Sequence, residues 1–274
     1  MNPREAAQEA AVKLAAAGVP EARFEAELLV RHVTGLSRAQ FFAARGAFDP
    51  TADFDSAVGR RVRREPGAYV TGVREFYGLP FHVGPGVLVP RPETELLVEL
   101  GIEEGRNHRQ PVIVDAGTGS GCIAIAVAAA IDNAGAVVIG TDVSAPALLI
   151  ARSNRDAIGA AVHFVRASLA EAVARADIVL ANLPYVPSGE IDALEPEVSR
   201  WEPRVALDGG SDGLGLIRRL IGDCATRLRP RLLALEVGFG QATAVAALAH
   251  EAGAGVDVVR DLGGIDRVVC ARWE

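Results

Sequence analysis

The spacing of hydrophobic positions divides the chain into a helical front part and a longer part that contains strands. Over the first 64 residues, apolar side chains recur at every third or fourth position, which is the period of amphipathic helices. Gly18 and Gly35 are expected to end the first two helices, Ser37 to cap a short third, and Asp49-Pro50 to open a fourth. Because strand patterns are absent here, residues 1–66 are predicted to form a small helical domain.

The pattern changes after this helical part. Residues 67–90, which include YVTGVREFYGLPFHVGPGVLVP, alternate and are rich in glycine and proline, and this predicts a β-hairpin linker. In residues 91–274, short continuous apolar runs alternate with amphipathic segments. Such runs are typical of parallel strands covered by helices on both faces, so a doubly wound α/β domain is predicted. The predicted strands are 111–116, 136–142, 162–165, 177–182, 231–238, 255–261 and 266–273.

Composition narrows the class of protein. The chain has 274 residues, half of them hydrophobic, which permits a sizeable core and argues against general disorder. A net charge of −7 argues against nonspecific binding to nucleic acid. Three cysteines without a CxxC pair and five histidines without metal-ligand spacing predict neither disulfides nor a metal site. With no apolar signal core and no run long enough to span a bilayer, we expect a cytoplasmic protein that does not bind membranes.

A glycine-rich loop follows the first strand of the α/β part. The sequence DAGTGSG, residues 115–121, stands before a predicted helix, and its glycines let a ligand approach the backbone. The second strand ends in Asp142, where dinucleotide folds bind ribose hydroxyls. The third glycine of a GxGxxG loop would fall on Cys122. The GxGxG form resembles instead the S-adenosylmethionine loop of class I methyltransferases, in which the Asp115 carboxylate would meet the cofactor's cationic amino group. A turn or helix-cap hydrogen bond is the alternative role of Asp115.

The stretch VLANLPYVP, residues 179–187, ends the fourth strand at the edge of the predicted sheet where ligands bind. A carboxamide nitrogen is a poor nucleophile because its lone pair is delocalised into the carbonyl. Two acceptors that hold its N–H bonds would orient it toward a methyl donor, and the Asn182 side-chain oxygen and the Leu183 carbonyl are predicted to be those acceptors. Pro184 confines Leu183 to extended geometry, and Tyr185 would supply an aromatic wall. The structural alternative is a proline turn with a capping Asn.

This stretch and two others resemble a known family. NLPY is similar to the (N/D)PP(Y/F) motif of methyltransferases that act on planar nitrogens, with Leu183 in place of the first proline. LVPRPETELLV (88–98) and EPRVALDGGSDGLGLIRRLI (202–221) closely resemble the HemK/PrmC family of protein-(glutamine-N5) methyltransferases, which act on peptide chain release factors. A helical front domain, a hairpin linker and a methyltransferase domain are the layout of that family.

The resemblance implies a fold, a cofactor and a substrate. It implies a class I S-adenosylmethionine-dependent methyltransferase fold with a seven-stranded, mostly parallel, Rossmann-like sheet, and a front domain that docks the substrate. It implies that Asn182 to Tyr185 hold the glutamine of the GGQ loop of a class I release factor, and that S-adenosylhomocysteine is the product. The residues expected to contact the cofactor are Asp115, Gly117, Thr118, Gly119, Ser120, Gly121, Asp142, Ser168, Leu169 and Asn182. Ser168 and Leu169 stand where the family often has an acid and an aromatic near the adenine.

Two other functions stay open at this point. The first is an adenine N6-methyltransferase, since NLPY also occurs in enzymes that methylate adenine. The second is a protein that binds S-adenosylmethionine without turnover, against which the intact Asn182 argues. The basic run RRVRR at 60–64 is either a solvated helix end or a docking patch.

Overall fold

The computed structural model describes residues 1–46, 48–49, 51–133 and 135–273, which divide into two compact units. The first unit comprises Met1–Val73 together with the later segment Glu195–Trp201. The second unit comprises Arg74–Leu194 and the chain from Glu202 onward. A segment from the second half of the sequence therefore completes the helical front part, which the hydrophobic pattern did not predict.

The first unit is helical, as predicted. Gly35 ends the second helix with a φ of 68°, and the Ser37 side chain caps the third by accepting from the Gln40 N–H. The fourth helix is capped by Thr51, and Pro50, expected to open it, lies outside the described residues. The helices are Pro3–Ala16, Ala22–Thr34, Arg38–Ala43, Ala52–Val62, Gly67–Thr71 and Pro196–Ser199.

Gly67–Thr71 is a helix within the range that the sequence assigned to a hairpin linker. Its residue Val70 is buried in the same apolar cluster as Leu14, Leu29 and Phe54. Burial of this side chain in the core of the first unit is the physical reason that the segment belongs there and not to the hairpin.

Three of the four arginines of RRVRR form ion pairs, so the run is neither a solvated helix end nor a free docking patch. Arg60 pairs with Glu65, and Arg61, which is 3% exposed, binds Glu25 at 3.2 Å and Glu197 at 2.8 Å. Arg64 also binds Glu197, at 2.6 Å. Burial opposes ionisation of Glu197, but the hydrogen bonds from Arg64 and Arg61 lower its pKa. These ion pairs attach the segment Glu195–Trp201 to the fourth helix of its own unit.

The second unit contains the predicted seven-stranded sheet. Strands β1 (Val73–Phe76) and β2 (Leu79–His82) form a separate hairpin, which belongs to this unit except for Val73. The seven strands lie in the order β5-β4-β3-β6-β7-β9-β8, parallel except that β9 runs antiparallel to both of its neighbours. They are β3 Val112–Ala116, β4 Val137–Asp142, β5 Val162–Arg166, β6 Ile178–Ala181, β7 Leu232–Glu236, β8 Gly255–Arg260 and β9 Asp266–Arg272.

The sheet is buried on both faces because successive apolar side chains enter different cores. Ile178 and Leu180 of β6 belong to one cluster, whereas Val179 and Ala181 belong to the other. All four are fully buried, which explains why the strand has a continuous apolar run and not an alternating one. The principal helices of this unit are Glu95–Arg106, Cys122–Ala130, Ala145–Ile158, Gly215–Asp223 and Ala242–Glu251.

Strand pairing places the two motifs next to each other. β3 lies between β4 and β6, with Asp115 opposite both Gly140 and Leu180. Because the three strands are parallel, the glycine loop after β3, Asp142 at the end of β4 and Asn182 after β6 lie at one edge of the sheet.

Buried Asn154 joins the hairpin to this edge. Its side-chain oxygen accepts from the His82 N–H at 2.8 Å, and its nitrogen donates to the carbonyls of His82 and Ser120. The hairpin is therefore fixed to the glycine loop by a side chain that the sequence did not single out.

We predict that Arg61→Leu lowers the free energy of unfolding by about 3 kcal/mol, because it leaves Glu25 without its buried cation. This is the lower end of the cost of breaking a buried ion pair, since Arg64 continues to bind Glu197. Urea denaturation of the full chain measures the change, with exposed Arg63→Leu as a control that should stay within about 0.5 kcal/mol. Equal midpoints for the two variants would contradict a stabilising role of Arg61.

Candidate active site

A cavity of about 300 Å³ lies in the second unit at the carboxyl edge of the sheet. Most of the residues predicted to bind cofactor or substrate line it: Gly117, Thr118, Gly119, Ser120, Asp142, Ser168, Leu169, Asn182, Leu183 and Pro184. Asp115, Gly121 and Tyr185 are outside this lining. The structure thus brings ten of the predicted residues around one space and gives the other three different surroundings.

Two glycines of the loop, Gly119 and Gly121, have different surroundings and therefore different roles. At Gly119, a Cβ would meet no atom within 4 Å, so its backbone is open to a ligand. At Gly121, which has a φ of 83°, a Cβ would lie 3.0 Å from Ile125 and 3.1 Å from Phe164. Gly121 is therefore required for close packing of the loop against its helix, while Gly119 forms the accessible part of the loop.

Asp142 holds the loop as well as facing the cavity. Its Oδ2 accepts from the Gly119 N–H at 2.9 Å, and its Oδ1 accepts from the Ser144 N–H at 2.8 Å. Each carboxylate oxygen can accept a further hydrogen bond, so Asp142 remains able to bind a pair of hydroxyl groups. The residue predicted to bind ribose is thus also a structural support of Gly119.

The Asp115 carboxylate does not line the cavity. It is fully buried, and its Oδ2 accepts from the Thr118 hydroxyl at 2.6 Å and the Ala124 N–H at 3.2 Å. Burial raises the pKa of Asp115 to about 7, against the opposing effect of these hydrogen bonds. These bonds are those of a turn and a helix start, whereas the other oxygen, Oδ1, has no hydrogen-bond partner among the described residues. Contact of Asp115 with a cationic amino group therefore stays a prediction.

Ser168 and Leu169 both reach the cavity from the loop after β5. Ser168 Oγ accepts a hydrogen bond from Arg219, which also pairs with Glu171. Leu169 has a φ of 48°, and its carbonyl accepts from the buried Thr141 hydroxyl. This side of the cavity therefore presents a hydroxyl, an apolar side chain and a guanidinium. The acid and the aromatic that the resembled family often has near the adenine are replaced here by Ser168 and Leu169.

The two predicted acceptors, Asn182 Oδ1 and the Leu183 carbonyl, are available. Within the part of the chain that the structure describes, neither oxygen accepts a hydrogen bond. The Leu183 side chain is buried, 3.1 Å from where a Cβ on Gly117 would stand. Leu183 thus anchors the segment Asn182–Tyr185, which we call the clamp, beside the glycine loop. Sequence analysis missed this role because it considered only the Leu183 carbonyl.

Tyr185 lies beside the cavity lining. Its ring packs near Gly238, its carbonyl accepts from Gln241 Nε2 at 2.8 Å, and burial raises its pKa to about 12. A partly buried, neutral phenol at this place is compatible with an apolar wall for a substrate side chain, and that role stays a prediction.

The segment RPETE fixes several parts of the site. Arg91 binds the buried Glu202 carboxylate at 2.6 Å, and burial raises the pKa of Glu202 against the effect of Arg91. Thr94 accepts from Asn182 Nδ2 at 3.0 Å, and Glu95 accepts from the Tyr77 N–H at 2.8 Å. The segment also starts a helix, as predicted, through the 3-10 turn Pro92–Thr94.

These contacts identify residues that sequence analysis missed as members of the site. The cavity lining includes Gly86, Val87, Leu88, Pro90, Arg91, Thr94, Val205, Ala206, Leu216 and Arg219. For all of these except Gly86 and Val87 the signal was present, because the segments 88–98 and 202–221 carried the resemblance to the methyltransferase family. Their contact through Arg91 and Glu202 shows that both border one site.

Among the described residues, no group of three or more His, Cys, Asp or Glu side chains could hold a metal ion. No helix in the same ranges is long and apolar enough to cross a membrane.

Comparison with solved structures shows the fold. A methyltransferase from Pyrococcus furiosus superposes with a TM-score of 0.54 at 16% identity, covering 71% of this chain and 88% of that one. The human methyltransferase 10 domain containing protein gives a TM-score of 0.51 at 16% identity, covering 72% of this chain and 90% of that one. The second unit therefore has the predicted class I methyltransferase fold.

Comparison of sequences shows the family. Residues 5–72 match the PrmC N-terminal domain, and residues 93–194 match the methyltransferase small domain. A release factor glutamine methyltransferase from Geobacter sulfurreducens is 38% identical over 94% of this chain and 92% of its own length. One from Gloeobacter violaceus is 42% identical over 89% of this chain and 88% of its own. The chain belongs to the release factor glutamine methyltransferase family.

Proposed function

We propose that this protein transfers a methyl group from S-adenosylmethionine to the side-chain amide nitrogen of the glutamine in the GGQ motif of class I peptide chain release factors. The observation that carries the proposal is the pair of acceptors, Asn182 Oδ1 and the Leu183 carbonyl, beside the glycine loop. A primary amide has two N–H bonds, and two acceptors can hold both. Release factors act in translation, so the cytoplasm is the proposed location.

The residues around the cavity fit S-adenosylmethionine. Gly119 is open to close approach, Asp142 has acceptor capacity for ribose hydroxyls, and Ser168 can bond to a base. When bound, the cofactor supplies an electrophilic methyl group on a sulfonium centre. Among the described residues, the Asp115 carboxylate lies outside the cavity lining but keeps one oxygen without a partner, so its contact with the amino group of the cofactor stays a prediction.

Asn182 and Leu183 would act on the nitrogen without removing a proton first. Holding both N–H bonds fixes the plane of the amide and turns the face of its nitrogen toward the methyl donor. As the N–C bond forms, the nitrogen becomes positive, and hydrogen bonds to Asn182 Oδ1 and the Leu183 carbonyl strengthen. S-adenosylhomocysteine would be the leaving group, and one of the two N–H protons would then pass to solvent water, which gives N5-methylglutamine.

The function is tested by mass spectrometry of purified release factor after incubation with the enzyme and S-adenosylmethionine. One added methyl group on the glutamine of the GGQ peptide is expected, and none on adenine-containing RNA or DNA in a parallel reaction. Methylated adenine with unmodified release factor would favour the N6-methyltransferase instead, and cofactor binding without any product would favour a binding protein.

We predict that Asn182→Ala lowers kcat for release factor by about 100-fold or more, because it removes a preorganised acceptor that acts in the transition state. Asn182→Asp keeps an acceptor but adds charge, and should fall between wild type and alanine. Steady-state kinetics give the values, with exposed Asn107→Ala as a matched control. If Asn182→Ala raises KM while kcat stays intact, the clamp is a binding surface only.

We predict that Asp142→Ala weakens S-adenosylmethionine binding by roughly 1.5–3 kcal/mol, because charge-assisted hydrogen bonds to ribose are lost. The variant also releases the Gly119 and Ser144 N–H groups, so a thermal melt is needed to show that the fold is retained. Titration calorimetry measures the affinity, and exposed Asp132→Ala serves as the control. Unchanged affinity in Asp142→Ala would remove this residue from the cofactor site.

A further inference from the structure

The second half of the clamp has little to hold it in place by itself. Pro184 has no N–H to donate, and among the described residues one hydrogen bond reaches the carbonyls of residues 183–185. This bond joins Gln241 Nε2 to the Tyr185 carbonyl oxygen at 2.8 Å. The Leu183 carbonyl and the Tyr185 ring, both assigned to the substrate amide, therefore depend on how this end of the clamp is held.

Gln241 joins the end of the clamp to the loop after β7. It directly precedes the helix Ala242–Glu251, and while its Nε2 donates to Tyr185, its Oε1 accepts from the Gly238 N–H at 2.9 Å. A backbone carbonyl only accepts and a backbone N–H only donates, so these two partners admit a single orientation of the carboxamide. One side chain thus fixes two backbone segments with an unambiguous pair of hydrogen bonds.

The loop that Gln241 holds also supports the Tyr185 ring. A Cβ on Gly238 would stand 3.0 Å from Tyr185 Cδ2, so the ring lies directly against the glycine backbone. Gly238 is buried, and its N–H is the group that Gln241 Oε1 accepts from. Gln241 therefore fixes the Tyr185 carbonyl and also the surface against which the Tyr185 ring packs.

Two glycines of the segment DGGSDG, residues 208–213, close the other side of the clamp. A Cβ on Gly209 would stand 2.6 Å from the Pro184 carbonyl oxygen. A Cβ on Gly213 would overlap the Tyr185 carbonyl oxygen and stand 2.9 Å from Gln241 Nε2. Both positions therefore need glycine, because the backbone of this segment lies against the two carbonyls with no room for a side chain.

We propose that Gln241, supported by Gly209 and Gly213, is a positioning residue that sets the direction of the Leu183 carbonyl and the place of the Tyr185 ring. The inference rests on the proposed function, because it concerns how the same site holds the glutamine amide. Gln241 is outside the cavity lining, so it acts through the clamp and not on the substrate.

The covalent chain carries this effect to the Leu183 carbonyl. The proline ring fixes φ at Pro184, which removes one of the torsions between the Leu183 and Tyr185 carbonyls. The buried Leu183 side chain holds one end of this short segment, and Gln241 holds the other. With both ends held, the peptide group between Leu183 and Pro184 keeps the direction of its oxygen, and loss of either end releases it.

Gln241→Glu tests the donor alone, because it keeps the size of the side chain and an acceptor for the Gly238 N–H. The carboxylate turns an oxygen toward the Tyr185 carbonyl, and two acceptors repel each other. The variant should lower kcat for release factor by about 10- to 100-fold, with S-adenosylmethionine affinity changed less than about twofold. Exposed Gln110→Glu is the matched control and should keep kcat within about twofold of wild type.

Kinetics are measured below the melting temperature of each variant, so that only folded enzyme is compared. A merely structural role lowers the melting temperature of Gln241→Glu and leaves the kcat of the folded enzyme intact. That result would overturn the positioning role.

A pair of glycine variants tests the opposite side of the clamp. Gly213 and Gly210 both have positive φ, 75° and 91°, so alanine strains the backbone at either position. Only at Gly213 does the added Cβ meet the clamp, since a Cβ on Gly210 would have no atom within 4 Å. Gly213→Ala should lower kcat at least about 10-fold, whereas Gly210→Ala should keep it within about twofold. Equal kcat values for the two variants would contradict the proposal.

An NMR measurement reads the Gln241 contact without any reaction. Tyrosine labelled with ¹³C at the carbonyl and valine labelled with ¹⁵N give signals from two peptide bonds, Tyr69–Val70 and Tyr185–Val186. The second is assigned by its loss in Tyr185→Phe. Gln241→Glu should shift the Tyr185 carbonyl signal and leave that of Tyr69 in place. An unshifted Tyr185 signal would overturn the proposal.

The two readouts separate this inference from the proposed function. Methylation by wild type, together with a shifted Tyr185 signal and a lowered kcat in Gln241→Glu, supports both. Methylation by wild type with an unchanged kcat in Gln241→Glu overturns the positioning role and leaves the function standing. If wild type leaves release factor unmodified, the function fails and the positioning role fails with it, and a shifted Tyr185 signal then establishes a structural contact only.

Discussion

The parallel pairing of β3 with β6 is the constraint on which the site depends. It places the loop after Ala116 beside the clamp after Ala181, although 65 positions separate them in the chain, counted from 116 to 181. The Leu183 side chain then lies next to Gly117, where a Cβ on the glycine would be only 3.1 Å from it. A register shift would move the acceptors away from the cofactor loop and turn buried side chains to the other face.

Around this pairing, buried polar contacts fix the segments that no strand holds. Asn154 fixes the hairpin to the glycine loop, Arg91 and Glu202 join two loops, and Thr94 holds Asn182. Each of these groups is costly to bury unless it is hydrogen-bonded, so each also favours a single arrangement. Within the described ranges, the site thus combines two acceptors without a hydrogen-bond donor, Asn182 Oδ1 and the Leu183 carbonyl, with surrounding polar side chains that are hydrogen-bonded to each other or to the backbone.

The elements with local signals could be predicted from the sequence. The strands have continuous apolar runs because both faces are covered, and the glycine loop has its own spacing. The contacts that join distant segments could not, because they leave no periodic trace. Arg61 binds Glu197 across 136 positions, and Asn182 binds Thr94 across 88. Asp115 shows a different limit: an acid beside a ligand loop also serves as a buried support, and the sequence does not separate the two roles.

The central claim is that two open acceptors, Asn182 Oδ1 and the Leu183 carbonyl, hold the amide nitrogen of a glutamine. A crystal structure of the enzyme with S-adenosylhomocysteine and a release factor measures this directly. The account predicts that the glutamine side-chain nitrogen lies within about 3.2 Å of both oxygens, with the face of its amide toward the sulfur. A glutamine whose carbonyl oxygen, and not its nitrogen, points at the sulfur, or whose nitrogen contacts neither acceptor, would contradict it.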